Sequence, residues 1–466
     1  MASTRAGAAR EGAAHEGVVR EGALREGAVQ GGASRRQPAR EPAARTYARA
    51  LPVVPVRARG LTIEGADGRR YLDCVSGAGT LALGHNHPVV LKAIRAVLDS
   101  GAPLHVMDLT TPVEDAFVTE LLRTLPPGLA DHARVRFCGP TGTDPVATAV
   151  SLVRAATGRA RVIAVADAPE PLLDDDETGR EPPAALLLEP VRSEAGVFPA
   201  ADALVRRLRS RTDGRGVPLV VDETETGVGR TGAYWAFEHS GVTPDVLVLA
   251  RAVGGSLPLA AVVHRDDLGD LGDSGGPAGK DTVGRPAAAR AAGAFRGNQL
   301  ALAAGAATLA HVREHRLAEH AAALGEWMLT RLRALPGEFE CVGDVRGRGL
   351  MAGIELVAPD GTTDVPSDGV HPGPRPGTGT GTGTGTAGIP GTPADLAAAV
   401  RRECLRRGLI VDVAGPCANV VRLLPPLIVS EEQMSAVLDR LFDAVRAVDR
   451  HRAHGAATLR CERTPR

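Results

Sequence analysis

Between Pro218 and Ala260 the chain reads PLVVDETETGVGRTGAYWAFEHSGVTPDVLVLARAVGGSLPLA, and this run limits the possible folds more than any other. Leu219 to Val221 is short, apolar and β-branched, which predicts a buried strand; it ends in two carboxylates, Asp222 and Glu223. The glycine-rich turn Gly227 to Gly232 follows. A second buried strand is predicted over Val246 to Ala250, and it delivers Arg251 to the corresponding edge, just ahead of Gly254-Gly255-Ser256. Open parallel sheets place ligand-binding groups at the carboxyl ends of such strands.

The rest of the chain supplies the surroundings such a sheet needs. Residues 1–45 carry a five-residue repeat (REGAA, HEGVV, REGAL, REGAV, QGGAS) that matches neither a helical nor a strand period, so a disordered leader is expected. Residues 46–108 open with a hairpin turned at Ala66-Asp67-Gly68 and a helix starting after Pro88, with His85 and His87 expected to cap that start. A large domain is expected over 109–312. Within it the strand Val135 to Cys138 breaks at Gly139-Pro140, and a helix opens near Thr143 or Asp144. A glycine-rich turn into a helix exposes backbone N–H groups at a positive dipole end, which suits a phosphate. Strands are also predicted over Arg161 to Ala166, Leu186 to Leu188 and Ala260 to His264, and a helix over Ala201 to Arg211 completes a βαβ unit.

A C-terminal domain is expected over 313–450: a helix Leu317 to Leu335, two short strands around Gly347, Gly349 and Gly353, a helix Ala394 to Arg407, a strand Leu409 to Val413 and a last helix from Ser430 to about Val448. It is interrupted by a low-complexity insertion, 357–392, and followed by an Arg-rich tail, 451–466, expected to be disordered.

Composition narrows the function classes. With a formal charge of −1, the chain has no field to attract nucleic acid or an anionic membrane. No apolar run approaches the roughly 18 residues of a membrane span, and the N-terminus lacks the apolar core of a signal peptide, so a cytoplasmic protein is expected. The six cysteines are scattered with no CxxC pair, which argues against a metal or disulfide framework.

The order DE, GVGRTG, WAFEHSGVTPD, a cation and then AVGGSLPLA resembles that of the class III (ornithine-type) pyridoxal-phosphate aminotransferases. DGRRYLD, GAG and LGHNHP in the N-terminal part, EPVRSEAGV, AGAFRGNQLA and VVRLLPPL extend the resemblance over 46–450, with the flavour of the diaminobutyrate–2-oxoglutarate branch. It implies the type I fold of pyridoxal-phosphate enzymes: an α/β architecture, its parallel-dominated sheet flanked by helices, with a smaller α+β domain built from both chain ends. It also implies a homodimer, and an amino acid or diamine and 2-oxoglutarate as substrates. By the same resemblance, Gly139, Pro140, Thr141, Gly142 and Thr143 cradle the cofactor phosphate, Asp222 pairs with the pyridine nitrogen, and Glu225 lies in the cofactor site. Glu189 and Arg422 lie on the substrate side, Arg422 binding its carboxylate. Residues 76–80 line the substrate path, and Ala294 stands where a threonine donates to the neighbouring subunit's cofactor phosphate.

The chain departs from this pattern at its centre. Arg251 occupies the position of the lysine that carries the cofactor as a Schiff base. Bringing lysine from about 10.4 to about 7 costs roughly 5 kcal/mol, whereas arginine starts near 13.8 and needs roughly 9 kcal/mol, and even then is a poor imine former. The only lysines are Lys92, on a predicted solvated helix face, and Lys280, in a Gly-rich loop, where it is a remote stand-in for the missing amine. Near 167–183 the segment that carries an aromatic to stack on the cofactor is replaced by ADAPEPLLDDDETGREPP, which has none. These features point to an aminotransferase relative with impaired or lost amino transfer that holds the cofactor without a covalent bond; the alternative is a non-catalytic interaction or regulatory partner of an intact aminotransferase.

Overall fold

The computed structural model describes residues 51–106, 109–140, 144–165, 181–269, 296–358 and 392–462, with the side chains of 452–462 left aside. Met1–Val54 and Pro55–Arg466 separate as two compact units, and every element below belongs to the second. It begins with the meander β1 (Pro55–Arg59), β2 (Thr62–Gly65) and β3 (Arg70–Asp73). The turn between β2 and β3 is set by Asp67, which accepts hydrogen bonds from the Arg69 amide at 3.1 Å and the Tyr71 hydroxyl at 2.8 Å. Helix α1 (Pro88–Asp99) starts on proline, whose missing N–H is harmless in a first turn. The expected capping by histidine fails. His87 sits at the cap without a side-chain cap bond and packs its ring at 56° against that of His311, centroids 4.7 Å apart, while His85 Nε2 reaches Asp73 Oδ2 at 2.8 Å.

After α2 (Pro112–Arg123) come β4 (Ala133–Cys138), α3 (Asp144–Thr157), β5 (Val162–Ala164), β6 (Ala185–Leu188), the short pair β7 (Val191–Arg192) and β8 (Phe198–Pro199), α4 (Asp202–Arg215), β9 (Leu219–Asp222), β10 (Val246–Leu249) and β11 (Ala260–Arg265). The central sheet has the order β4-β11-β10-β9-β6-β5. β5, β6, β9 and β10 run parallel to one another, and β11 is antiparallel to both β10 and β4. Every residue of β10 is buried, as is Leu219–Val221 of β9, because helices cover both faces of a parallel sheet. Helix α4 runs past the expected Arg211 and stops where Gly216, at φ +58°, takes the left-handed cap conformation.

Helices α5 (Gln299–Glu314) and α6 (Leu317–Leu332) lead to β12 (Val342–Arg348) and β13 (Met351–Leu356), then to α7 (Pro393–Arg406), β14 (Leu409–Ile410), β15 (Asp412–Ala414), β16 (Val420–Leu423) and α8 (Glu431–Glu462). The single strand expected over Leu409 to Val413 is two. β14 joins the meander by pairing parallel to β3, and after Val411 the chain changes sheets so that β15 pairs antiparallel to β16 in the sheet β12-β13-β16-β15. A capping box starts α8: the Gln433 amide donates to Ser430 Oγ at 3.2 Å and the Ser430 amide to Gln433 Oε1 at 3.1 Å. The helix continues well beyond Val448. Among the described residues no helix is long and apolar enough to cross a membrane.

Candidate active site

The parallel strands β6, β9 and β10 end on one edge, and each delivers a charged residue there. Leu188 pairs with Val221 and Val248 with Asp222, so Glu189, Asp222 and Arg251 follow one another across neighbouring strand ends. β4 ends on the same edge, because Cys138 pairs with Ala260 and Ala261 with Leu249, bringing Gly139-Pro140 to that side. Gly139 has the Asp144 carboxylate where a Cβ would stand. Thr141, Gly142 and Thr143 lie outside the described residues, as do Ala294, Lys280 and the segment 166–180.

Asp222 and Glu223 face opposite ways, as successive strand residues must. Asp222 accepts from the Thr224 amide at 2.9 Å and from the Thr224 hydroxyl; burial pushes its carboxyl up, opposed by those bonds and by the Arg251 charge. Glu223 turns into the core. It accepts from the Phe237 amide at 2.9 Å and the Thr226 hydroxyl at 2.5 Å, and burial pushes it up to about 7. It therefore pins the turn beneath the site rather than taking part in it.

Arg251 opens a 3₁₀ turn, Arg251–Gly254, and its φ of +55° puts a non-glycine residue in the left-handed region, at a cost of about 1 kcal/mol. Its Nη2 lies 2.6 Å from Glu225 Oε1 and 3.8 Å from Glu194 Oε1, and its Nη1 donates to the Ala78 carbonyl at 2.7 Å. The loop expected on the substrate path thus touches the residue at the lysine position. Arg422, on β16, reaches the same carboxylates from the other side. Its Nη1 donates to Ser193 Oγ at 2.9 Å and lies 3.2 Å from Glu194 and 3.4 Å from Glu225; its Nη2 lies 2.6 Å from Asp412. Burial would lower its pKa, but the Asp412 bond and the Glu225 and Glu194 charges outweigh that and raise it.

Glu225 is thus shared by two guanidinium groups; burial pushes it up and those charges pull it back. Glu189 is exposed at the rim of this edge, where partial desolvation and the Asp222 and Glu225 charges push it up to about 7. The structure therefore brings Asp222, Glu225, Glu189, Arg251 and Arg422 to one edge. Sequence reasoning missed Ser193, Glu194 and Asp412. The one available signal was Asp412 itself, a lone acid in the apolar run LIVDVA.

A parallel-dominated sheet with an acid, a cation and a second-sheet arginine meeting at its carboxyl edge has the architecture of the type I pyridoxal-phosphate enzymes. The profile of the family described as Aminotransferase class-III matches residues 43–168 and 170–445, and the chain belongs to that family. It is 37% identical over 473 residues to the diaminobutyrate–2-oxoglutarate aminotransferase of Rhizobium meliloti, covering 90% of this chain and 93% of the relative. It is 34% identical to the enzyme of the same description from Haemophilus influenzae, covering 88% and 94%. Among solved structures, the ornithine δ-aminotransferase of Plasmodium falciparum superposes with a TM-score of 0.66 at 25% identity, covering 86% of this chain and 95% of that one.

The family depends on pyridoxal phosphate, and the described residues fit that cofactor in part. A half-buried carboxylate at the end of β9 suits a pyridine nitrogen, and Gly139, at the end of β4, has the Asp144 carboxylate beside it. The covalent anchor does not fit: the guanidinium of Arg251 is already engaged by Glu225 and Ala78.

Proposed function

We propose that this chain is a diaminobutyrate–2-oxoglutarate-type aminotransferase homologue that holds pyridoxal phosphate without a covalent bond and whose amino transfer is impaired or lost. The observation that carries the reading is the Arg251–Glu225 pair at 2.6 Å, which commits the residue at the lysine position to an ion pair. When bound, the cofactor supplies an electron sink for amino-acid chemistry. Asp222 would hold its ring nitrogen, the Gly139–Thr143 turn its phosphate, and Arg422 the carboxylate of an amino acid or of 2-oxoglutarate. Moving a proton at the substrate carbon needs a group at that position with a lone pair to accept it, and the permanently protonated guanidinium of Arg251 has none.

Spectrophotometric titration of the purified chain with pyridoxal phosphate, followed by borohydride and peptide mass spectrometry, tests this. Reversible binding with no modified peptide is expected; stoichiometric attachment to any side chain overturns the reading. Turnover of diaminobutyrate with 2-oxoglutarate is expected to be absent. Arg251→Lys is expected to attach the cofactor yet recover only a small part of an intact enzyme's rate, because the segment near 167–183 offers no aromatic to stack on the cofactor and Ala294 stands where a threonine donates to its phosphate.

A further inference from the structure

Arg251 and Arg422 arrive from different sheets and meet at the same two carboxylates. Glu225 spans them with its two oxygens, Oε1 2.6 Å from Arg251 and Oε2 3.4 Å from Arg422. Glu194 reaches both with one oxygen: its Oε1 is 3.2 Å from Arg422 Nη1 and 3.8 Å from Arg251 Nη2. The two acids differ in how firmly they are held. The Glu225 side chain is 12% exposed and that of Glu194 65%, and an ion pair to so exposed a carboxylate contributes little. Arg422 is 2% exposed, and its Nε has no hydrogen-bond partner among the described residues.

A single oxygen in reach of two guanidinium groups marks an oxyanion position, and the residue now filling it is weakly held. We propose that Arg251 and Arg422 form a two-guanidinium clamp for the carboxylate of a small-molecule ligand, bound where Glu194 Oε1 lies and without any covalent bond. Guanidinium forks match planar carboxylates with paired donors, which a lysine ammonium cannot do. Arg251 thereby turns the position of an amine into a second anion-binding group. A small carboxylic acid gains from it, whereas a diamine of the same size gains nothing. The inference rests on the reading of Arg251 as a non-covalent residue.

The test is calorimetric titration of the cofactor-free full-length chain at low salt with 2-oxoglutarate and with 1,4-diaminobutane. The acid is expected to bind and the diamine to bind far more weakly. Losing one charge-assisted contact in Arg251→Met should weaken the acid by about tenfold or more. Arg251→Lys should weaken it less, and Glu194→Gln, which removes the competing carboxylate, should tighten it. Unchanged affinity in a folded Arg251→Met chain overturns the clamp and leaves the carboxylate to Arg422 alone. If that variant does not fold, unchanged affinity in both Arg251→Lys and Glu194→Gln overturns it equally, as does an absence of binding in wild type and Glu194→Gln. Borohydride trapping distinguishes the two levels: a modified peptide sinks the non-covalent reading, while affinity indifferent to residue 251 with no modified peptide sinks only the clamp.

Discussion

Asp222 ends β9 and Glu223 follows it with the same charge, yet they belong to two different regions of the molecule. Asp222 looks onto an edge where two guanidinium groups, of Arg251 and Arg422, face Glu225, Glu194 and Asp412, and where the Arg251 charge also reaches Asp222. Glu223 looks into the core beside the buried Trp235, whose Nε1 donates to the Thr124 carbonyl at 3.0 Å, and its carboxylate closes on the Phe237 amide and the Thr226 hydroxyl. One face is built so that charge can be exchanged with a ligand; the other is built so that nothing moves. The strand's two-residue period produces both from a single step along the chain.

The largest expected effect tests the core face. Glu223→Ala strips the acceptor from the Phe237 amide and the Thr226 hydroxyl and should cost about 3 kcal/mol or more of unfolding free energy, measured by urea denaturation. Asp222→Ala, one residue away, should shift stability far less but abolish tight binding of pyridoxal phosphate. Equal destabilisation by the two would break the comparison. Glu223→Gln sharpens it. Because the folded-state value of Glu223 is raised to about 7 from an ordinary 4.5, the folded state binds the extra proton between those values. Stability from this group is fully present below about pH 4.5 and falls as pH rises to about 7, by about 3 kcal/mol in all. Glutamine still accepts from Phe237 and does not titrate, so the variant should lose most of that slope.

The elements that place this site were legible because each is a local pattern. Leu219–Val221 and Val246–Leu249 are apolar, short and followed by charge, and both are strands whose ends carry Asp222 and Arg251. What escaped depended on distant pairings. Glu194 carries no mark in sequence, and the lone acid Asp412 in its apolar run marks a polar position without naming its partner, because their shared contact with Arg422 joins the loop between β7 and β8 to two strands of another sheet. The break between β14 and β15 was equally hidden. LIVDV is a good strand by composition, and only the presence of a separate partner for each half divides it. The histidines misled for the same reason, since a ring before Pro88 looks like a cap until α5 is packed against it.

That histidine cluster supplies the smallest effect and runs against the pH trend of the core carboxylate. The ring of His87 packs at 56° against that of His311, and His311, in the last turn of α5, lies 3.9 Å, centroid to centroid, from His315 at the helix's C-cap. Burial lowers both His87 and His311; the charge of His315 lowers both further, and only Glu314 opposes this at His311. A histidine depressed in the folded state is protonated more readily in the unfolded chain, so its stabilising contribution is lost as pH falls through about 6.5. His87→Gln removes one of the mutually repelling rings and should raise the thermal midpoint slightly at pH 5.5 while leaving it within about a degree at pH 8. A gain at pH 8 as large as that at pH 5.5 would mean that packing, and not proton uptake, limits this corner of the fold.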